Sequence, residues 1–82
     1  MKEIVLYTRP GCHLCEEARQ SIVALRDEGY RFDLSELDIE TDEELLRAFL
    51  ERIPVVAVNG EIVSELALDS SALRARLDTV RA

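Results

Sequence analysis

The chain has 82 residues, 48% of them hydrophobic, and a net charge of −7 at neutral pH. That is enough apolar material for one small core, and the acidic balance repels nucleic-acid phosphates and anionic membrane surfaces. No apolar run approaches a membrane span and the apolar run within MKEIVLYTRPG is too short for a signal peptide, so the expectation is one cytoplasmic, monomeric domain over 1–82.

Glu3-Ile4-Val5-Leu6-Tyr7 is a short β-branched apolar run closed by Pro10-Gly11, which predicts a buried strand. From His13 to Glu28 the pattern becomes helical. Leu14, Ala18, Ile22 and Leu25 fall on one face, and Gly29 supplies the stop. Tyr30, Phe32 and Leu34 alternate with polar residues as a second strand. The alternation slips before Leu37 and Ile39, which predicts a bulge or an early end. Thr41 to Glu44 reads as a capping box, with Thr41 as the cap, for a helix carrying Leu45, Leu46, Phe49 and Leu50. Ile53-Pro54 ends it. Val55 to Val58 and Glu61 to Ser64 are strands around an Asn59-Gly60 hairpin turn. Asp69 or Ser70 caps a last helix with Leu73, Leu77 and Val80. The order β-α-β-α-β-β-α predicts an α/β fold. Its first two strands are parallel, its last two form a hairpin, and helices lie on the faces of a mixed four-stranded sheet.

The two cysteines of the chain, Cys12 and Cys15, lie three apart in TRPGCHLC. A strand followed by Pro-Gly puts Cys12 at the mouth of the first helix, where free N–H groups and the helix dipole favour a thiolate. Cys15 is one turn on, within reach of any mixed disulfide formed at Cys12. Gly11 leaves room for a partner's backbone. His13, the single histidine, either supports the Cys12 thiolate as a cation or is an exposed helix-start residue. The pattern points to thiol–disulfide exchange, with Cys12 attacking and Cys15 resolving. Two other readings stay open: inert core thiols, and half of a metal or Fe–S site that lacks its fourth ligand within one chain. A further one is a redox-sensing binding module.

The chain resembles the glutaredoxin-like proteins of the thioredoxin-fold superfamily, in particular a divergent group of small bacterial members. The resemblance spans nearly the whole length and rests on LYTRPGCHLC, IPVV and VNGEIV. It implies a cis peptide bond before Pro54, facing the cysteines, and a backbone at Ile53 that hydrogen-bonds a bound peptide or glutathione. It further implies a basic residue, Arg9, that meets a glutathione carboxylate. It implies an electron donor acting on disulfides of proteins or small molecules. Glutathione or a thioredoxin-reductase-type flavoenzyme would be its reductant, with no bound cofactor or metal. Dithiol glutaredoxins carry Pro-Tyr between the cysteines; this chain has His13-Leu14. Where they carry a Gly-Gly pair and an Asp that hold glutathione, this chain has Ser64-Glu65-Leu66-Ala67-Leu68. The resemblance therefore implies that the thiol chemistry is kept and the glutathione groove altered.

Overall fold

The structure, a computed structural model, describes residues 2–79. The elements are β1 (Lys2–Thr8), α1 (His13–Asp27), β2 (Phe32–Asp38), a 3-10 turn (Ile39–Thr41), α2 (Glu43–Phe49), β3 (Val55–Val58), β4 (Glu61–Ser64) and α3 (Ser70–Thr79). The sheet order is β2-β1-β3-β4. β1 and β2 run parallel across the α1 crossover, and β3 is antiparallel to both β1 and β4. This is the α/β, mixed four-stranded thioredoxin-like architecture that the element order predicts.

One face of the sheet carries the main core. Ile4 and Leu6 of β1 and Val56 and Val58 of β3 pack against Ala18, Ile22 and Leu25 of α1 and Leu73 and Leu77 of α3. Residues of opposite parity point to the other face, where Val55, Ala57 and Ile39 are buried and Tyr7 meets Phe49 of α2 with ring centroids 4.7 Å apart. β3 is thus covered on both sides, which is why VVAV is apolar throughout. At the Asn59-Gly60 turn both residues have positive φ, 51° and 85°, as a two-residue hairpin requires. Three ion pairs pin the last helix and its approach: Arg74–Glu28, Arg76–Glu61 and, just ahead of it, Arg52–Glu65.

Four details differ from the sequence expectations. Leu14 is not on the core face; it is 52% exposed, and Cys15, at 2%, takes that place. β2 neither bulges nor stops early: its register to β1 is unbroken from Lys2↔Phe32 to Thr8↔Asp38, and it starts after Tyr30. The irregularity lies instead between Val56 and Ala57, where β3 meets β4. Finally, Asp42, not Thr41, caps α2, its Oδ1 accepting from Glu44 N at 2.8 Å and Leu45 N at 3.3 Å. Thr41 closes the preceding turn by donating to the Asp38 carbonyl at 2.7 Å. The last helix is capped by Asp69, which accepts from Ala72 N at 3.0 Å; Val80 lies outside the described residues.

Candidate active site

One end of the sheet gathers every residue singled out for chemistry. β1 leaves the sheet there through Arg9-Pro10-Gly11 into α1. β3 enters there, since Tyr7 is paired with Val55, and Ile53-Pro54 immediately precede it. β4 leaves at the same end, its Ser64 opposite Val56.

The approach to α1 is a tight turn. Cys12 N donates to the Arg9 carbonyl at 3.3 Å, and Gly11 sits at φ +78°, a left-handed conformation that a side chain resists. Cys12 is the N-cap of α1, and its Sγ accepts the Cys15 N–H at 3.2 Å. A sulfur in that place faces the positive end of the helix and an otherwise unpaired donor, which is where a thiolate is stabilised. Cys12 and Cys15 are joined as a disulfide, their Cα atoms 5.2 Å apart. Cys12 is part-exposed, whereas Cys15 is buried under the first turn of the helix. The pair is therefore asymmetric, with one sulfur open to a partner and one behind it.

The surroundings of Cys12 form a cavity of about 450 Å³ whose lining includes Thr8, Arg9, Gly11, both cysteines, Glu16 and Glu36. Arg9 does not stand alone there; it pairs with Glu40 at 2.7 Å. Arg19 lies between Glu16, at 3.4 Å, and Glu36, at 4.0 Å. His13 also lines this cavity, its side chain 88% exposed, and pairs with Glu17 one turn on, Nε2 to Oε2 at 2.9 Å. The Ile53-Pro54 bond is cis, and Pro54 is buried. Among the described residues, no three His, Cys, Asp or Glu side chains cluster to hold a metal ion. None of the described helices is long and apolar enough to cross a membrane.

Sequence reasoning missed one pair at this end. Arg52 and Glu65 form an ion pair that bridges the segment before Pro54 and the segment after β4. The Leu66 N–H donates to the Arg52 carbonyl at 2.8 Å beside it, with Leu66 held at φ +68°. The hydrogen bond from the Arg52 guanidinium keeps the Glu65 carboxyl below the ordinary value of 4.5. Arg52 and Glu65 lie outside the paired stretch of the β3–β4 hairpin, so no strand register in the sequence points to the pair.

The fold and the cysteine pair define a thioredoxin-like protein with a redox-active disulfide, an arrangement consistent with thiol–disulfide chemistry. Residues 3–78 match the family described as Glutaredoxin-like domain (DUF836), and the chain belongs to that family. It is 30% identical, over 94% of its length and 76% of the relative's, to the Glutaredoxin-like protein YDR286C homolog of Dictyostelium discoideum. The solution structure of protein Ne2328 from Nitrosomonas europaea is similar at a TM-score of 0.81 and 32% identity, covering 92% of this chain and 89% of that one. The X-ray structure of XcR50 from X. campestris is similar at a TM-score of 0.77 and 29% identity, covering 95% and 99%.

Proposed function

We propose that the chain is a cytoplasmic thiol–disulfide oxidoreductase that passes electrons to the disulfides of proteins or small molecules. The observation that carries this reading is the asymmetric disulfide: part-exposed Cys12 at the start of α1, tied to buried Cys15. In the reduced protein the Cys12 thiolate attacks one sulfur of the substrate; a Cys12–substrate S–S bond forms and the substrate's own S–S bond breaks, releasing one thiolate. The Cys15 thiolate then attacks Cys12 Sγ, which releases the second. Two electrons and two protons leave the protein, the substrate gains two thiols, and the Cys12–Cys15 disulfide results. A thiol such as glutathione, or a thioredoxin-reductase-type flavoenzyme, returns the two electrons. The first turn of α1 stabilises the attacking Cys12 thiolate through the Cys15 N–H. Ile53 and Pro54 offer backbone beside the disulfide on which an extended substrate segment docks, and Gly11 keeps the approach open. Arg9, shared with Glu40, orients polar groups of the partner. The two bacterial relatives, at 32% and 29% identity, support placing the chain with small bacterial members of the family.

The test is reduction of the oxidised protein by glutathione, and separately by NADPH with thioredoxin reductase, following the mass of the Cys12–Cys15 peptide. Reduction by glutathione supports a glutaredoxin role, and reduction by the flavoenzyme alone supports a thioredoxin-like donor. Failure of both removes the turnover reading and leaves a redox sensor or a metal carrier.

A further inference from the structure

The cavity around Cys12 lies to one side of the disulfide. In the sheet order β2-β1-β3-β4 the cysteine loop follows β1, Pro54 precedes β3, and Glu36 belongs to β2. Glu36 lines the cavity together with Cys12, Cys15 and Glu16, whereas no described residue of β3 or of its approach does. The space is therefore a separate arm of the site, away from the backbone at Ile53 and Pro54. Its charges do not balance. Arg9 is engaged by Glu40 at 2.7 Å, which leaves Arg19 as the partner of both Glu16, at 3.4 Å, and Glu36, at 4.0 Å. His13 is held by Glu17. Two carboxylates thus share one guanidinium at long range, and both border the space that opens on the sulfurs. The Arg19–Glu36 pair is exposed as well as long, and such a pair adds little to stability, so holding the fold together does not account for Glu36. What the two carboxylates do control is the charge that a substrate meets beside Cys12.

We propose that Glu36, with Glu16, determines specificity by making this cavity a subsite for the cationic arm of a substrate disulfide. The arm ends in an ammonium or guanidinium group a few atoms from the reacting sulfur, as in a cysteine flanked by lysine or arginine. This rests on the oxidoreductase reading and deepens it by naming the substrate class. Opposite charges speed the encounter and fix its orientation. Because Cys12 and Cys15 both border the cavity, a cation seated there stays beside the sulfurs through the attack and the resolving step.

The experiment uses the reduced protein and two probes of equal length: cystamine, whose arms end in ammonium groups, and bis(2-hydroxyethyl) disulfide, whose arms are neutral. In each reaction the Cys12 thiolate displaces one thiolate from the probe and Cys15 releases the other. The protein's two thiols become a disulfide and the probe becomes two thiols. The readout is the ratio of the second-order rates, cystamine over neutral probe, in which a change in the Cys12 thiolate itself cancels. Glu36→Gln is expected to lower that ratio about two- to fivefold at low salt, and adding Glu16→Gln lowers it further. Salt shrinks the wild-type advantage. Asp27→Asn makes the same change in net charge at the far end of α1, roughly 20 Å from Cys12, and should leave the ratio unchanged. An unchanged ratio in Glu36→Gln, or an equal fall in Asp27→Asn, overturns the proposal. Wild-type protein unreactive with both probes would instead remove the oxidoreductase reading, and this inference with it.

Discussion

The rotational setting of α1 decides which sulfur is buried, and a pair of leucines reports it. Leu25 is 1% exposed in the core, while Leu14 is 52% exposed at the start of the same helix. Leu25→Ala removes fully buried methyl groups and leaves a cavity, a loss of about 2–5 kcal/mol. At Leu14 only about half of a burial worth roughly 1.5–3 kcal/mol is at stake and no cavity forms, so Leu14→Ala costs roughly 1 kcal/mol. A domain of this size has on the order of 4–12 kcal/mol in hand, so the first change consumes a large fraction of it. In thermal terms, at about 4–8 °C per kcal/mol, Leu25→Ala lowers Tm by about 8–40 °C and Leu14→Ala by about 4–8 °C. Urea unfolding of the reduced variants, followed by circular dichroism, measures both, with the m-value checking that the unfolded state is unchanged. Equal losses would refute the reasoning. They would mean that the helix is turned by about one residue, with Leu14 inside and Cys15 outside, and the asymmetry between attacking and resolving thiols would go with it.

Cys15→Ser, mixed with a disulfide substrate, is expected to accumulate a Cys12 mixed disulfide visible by mass. Cys12→Ser, left with a buried thiol, should form its adduct about tenfold or more slowly. Gly11→Ala meets no atom within 4 Å of the new Cβ, so its cost is that of φ +78° alone. That is about 1–2 kcal/mol, read as a lower urea midpoint. The carboxyls of Glu28 and Glu61 are held below 4.5 by hydrogen bonds from Arg74 and Arg76. Because the folded state binds their protons less readily than the unfolded chain, their contribution is complete above that value and is lost as the pH falls through the lowered ones. Tm should therefore hold above about pH 5 and fall progressively as the pH drops below it, and Glu28→Gln should flatten that fall.

Chain order, hairpin and cysteine placement were legible because each rests on a local signal. Pro-Gly before a helical pattern put Cys12 at a helix start, and Asn-Gly between two four-residue strands marked the β3–β4 hairpin. Choosing between Leu14 and Cys15 was another matter. At 100° per residue both sit about 50° from the centre of the stripe formed by Ala18, Ile22 and Leu25, on opposite sides, so periodicity barely separates them. Hydrophobicity favours leucine, but the disulfide ties Cys15 to Cys12 and leaves the leucine outside. β2 misled because alternation was used to judge its length. Its backbone stays paired to β1 up to Asp38, whereas Leu37 is 42% exposed, so the ladder and not burial holds that end. The capping candidates Thr41 and Asp42 are adjacent, and only the 3-10 turn before α2, which takes Thr41 as its last residue, leaves the cap of α2 to Asp42. The contact between Arg52 and Glu65 is set by how the β3–β4 hairpin closes, at a separation where no helical or strand periodicity applies.

The sheet ends at β2 on one side, and among the described residues no strand neighbours that outer edge. Asp33, Glu36 and Asp38 lie along it. A second molecule adding its own β2 there would set carboxylates against carboxylates, so the edge repels its own image. That edge is closed to growth by charge rather than by geometry. Acid, which neutralises those carboxylates, or high salt, which screens them, removes that barrier. Self-association in storage should therefore begin under those conditions and along that strand.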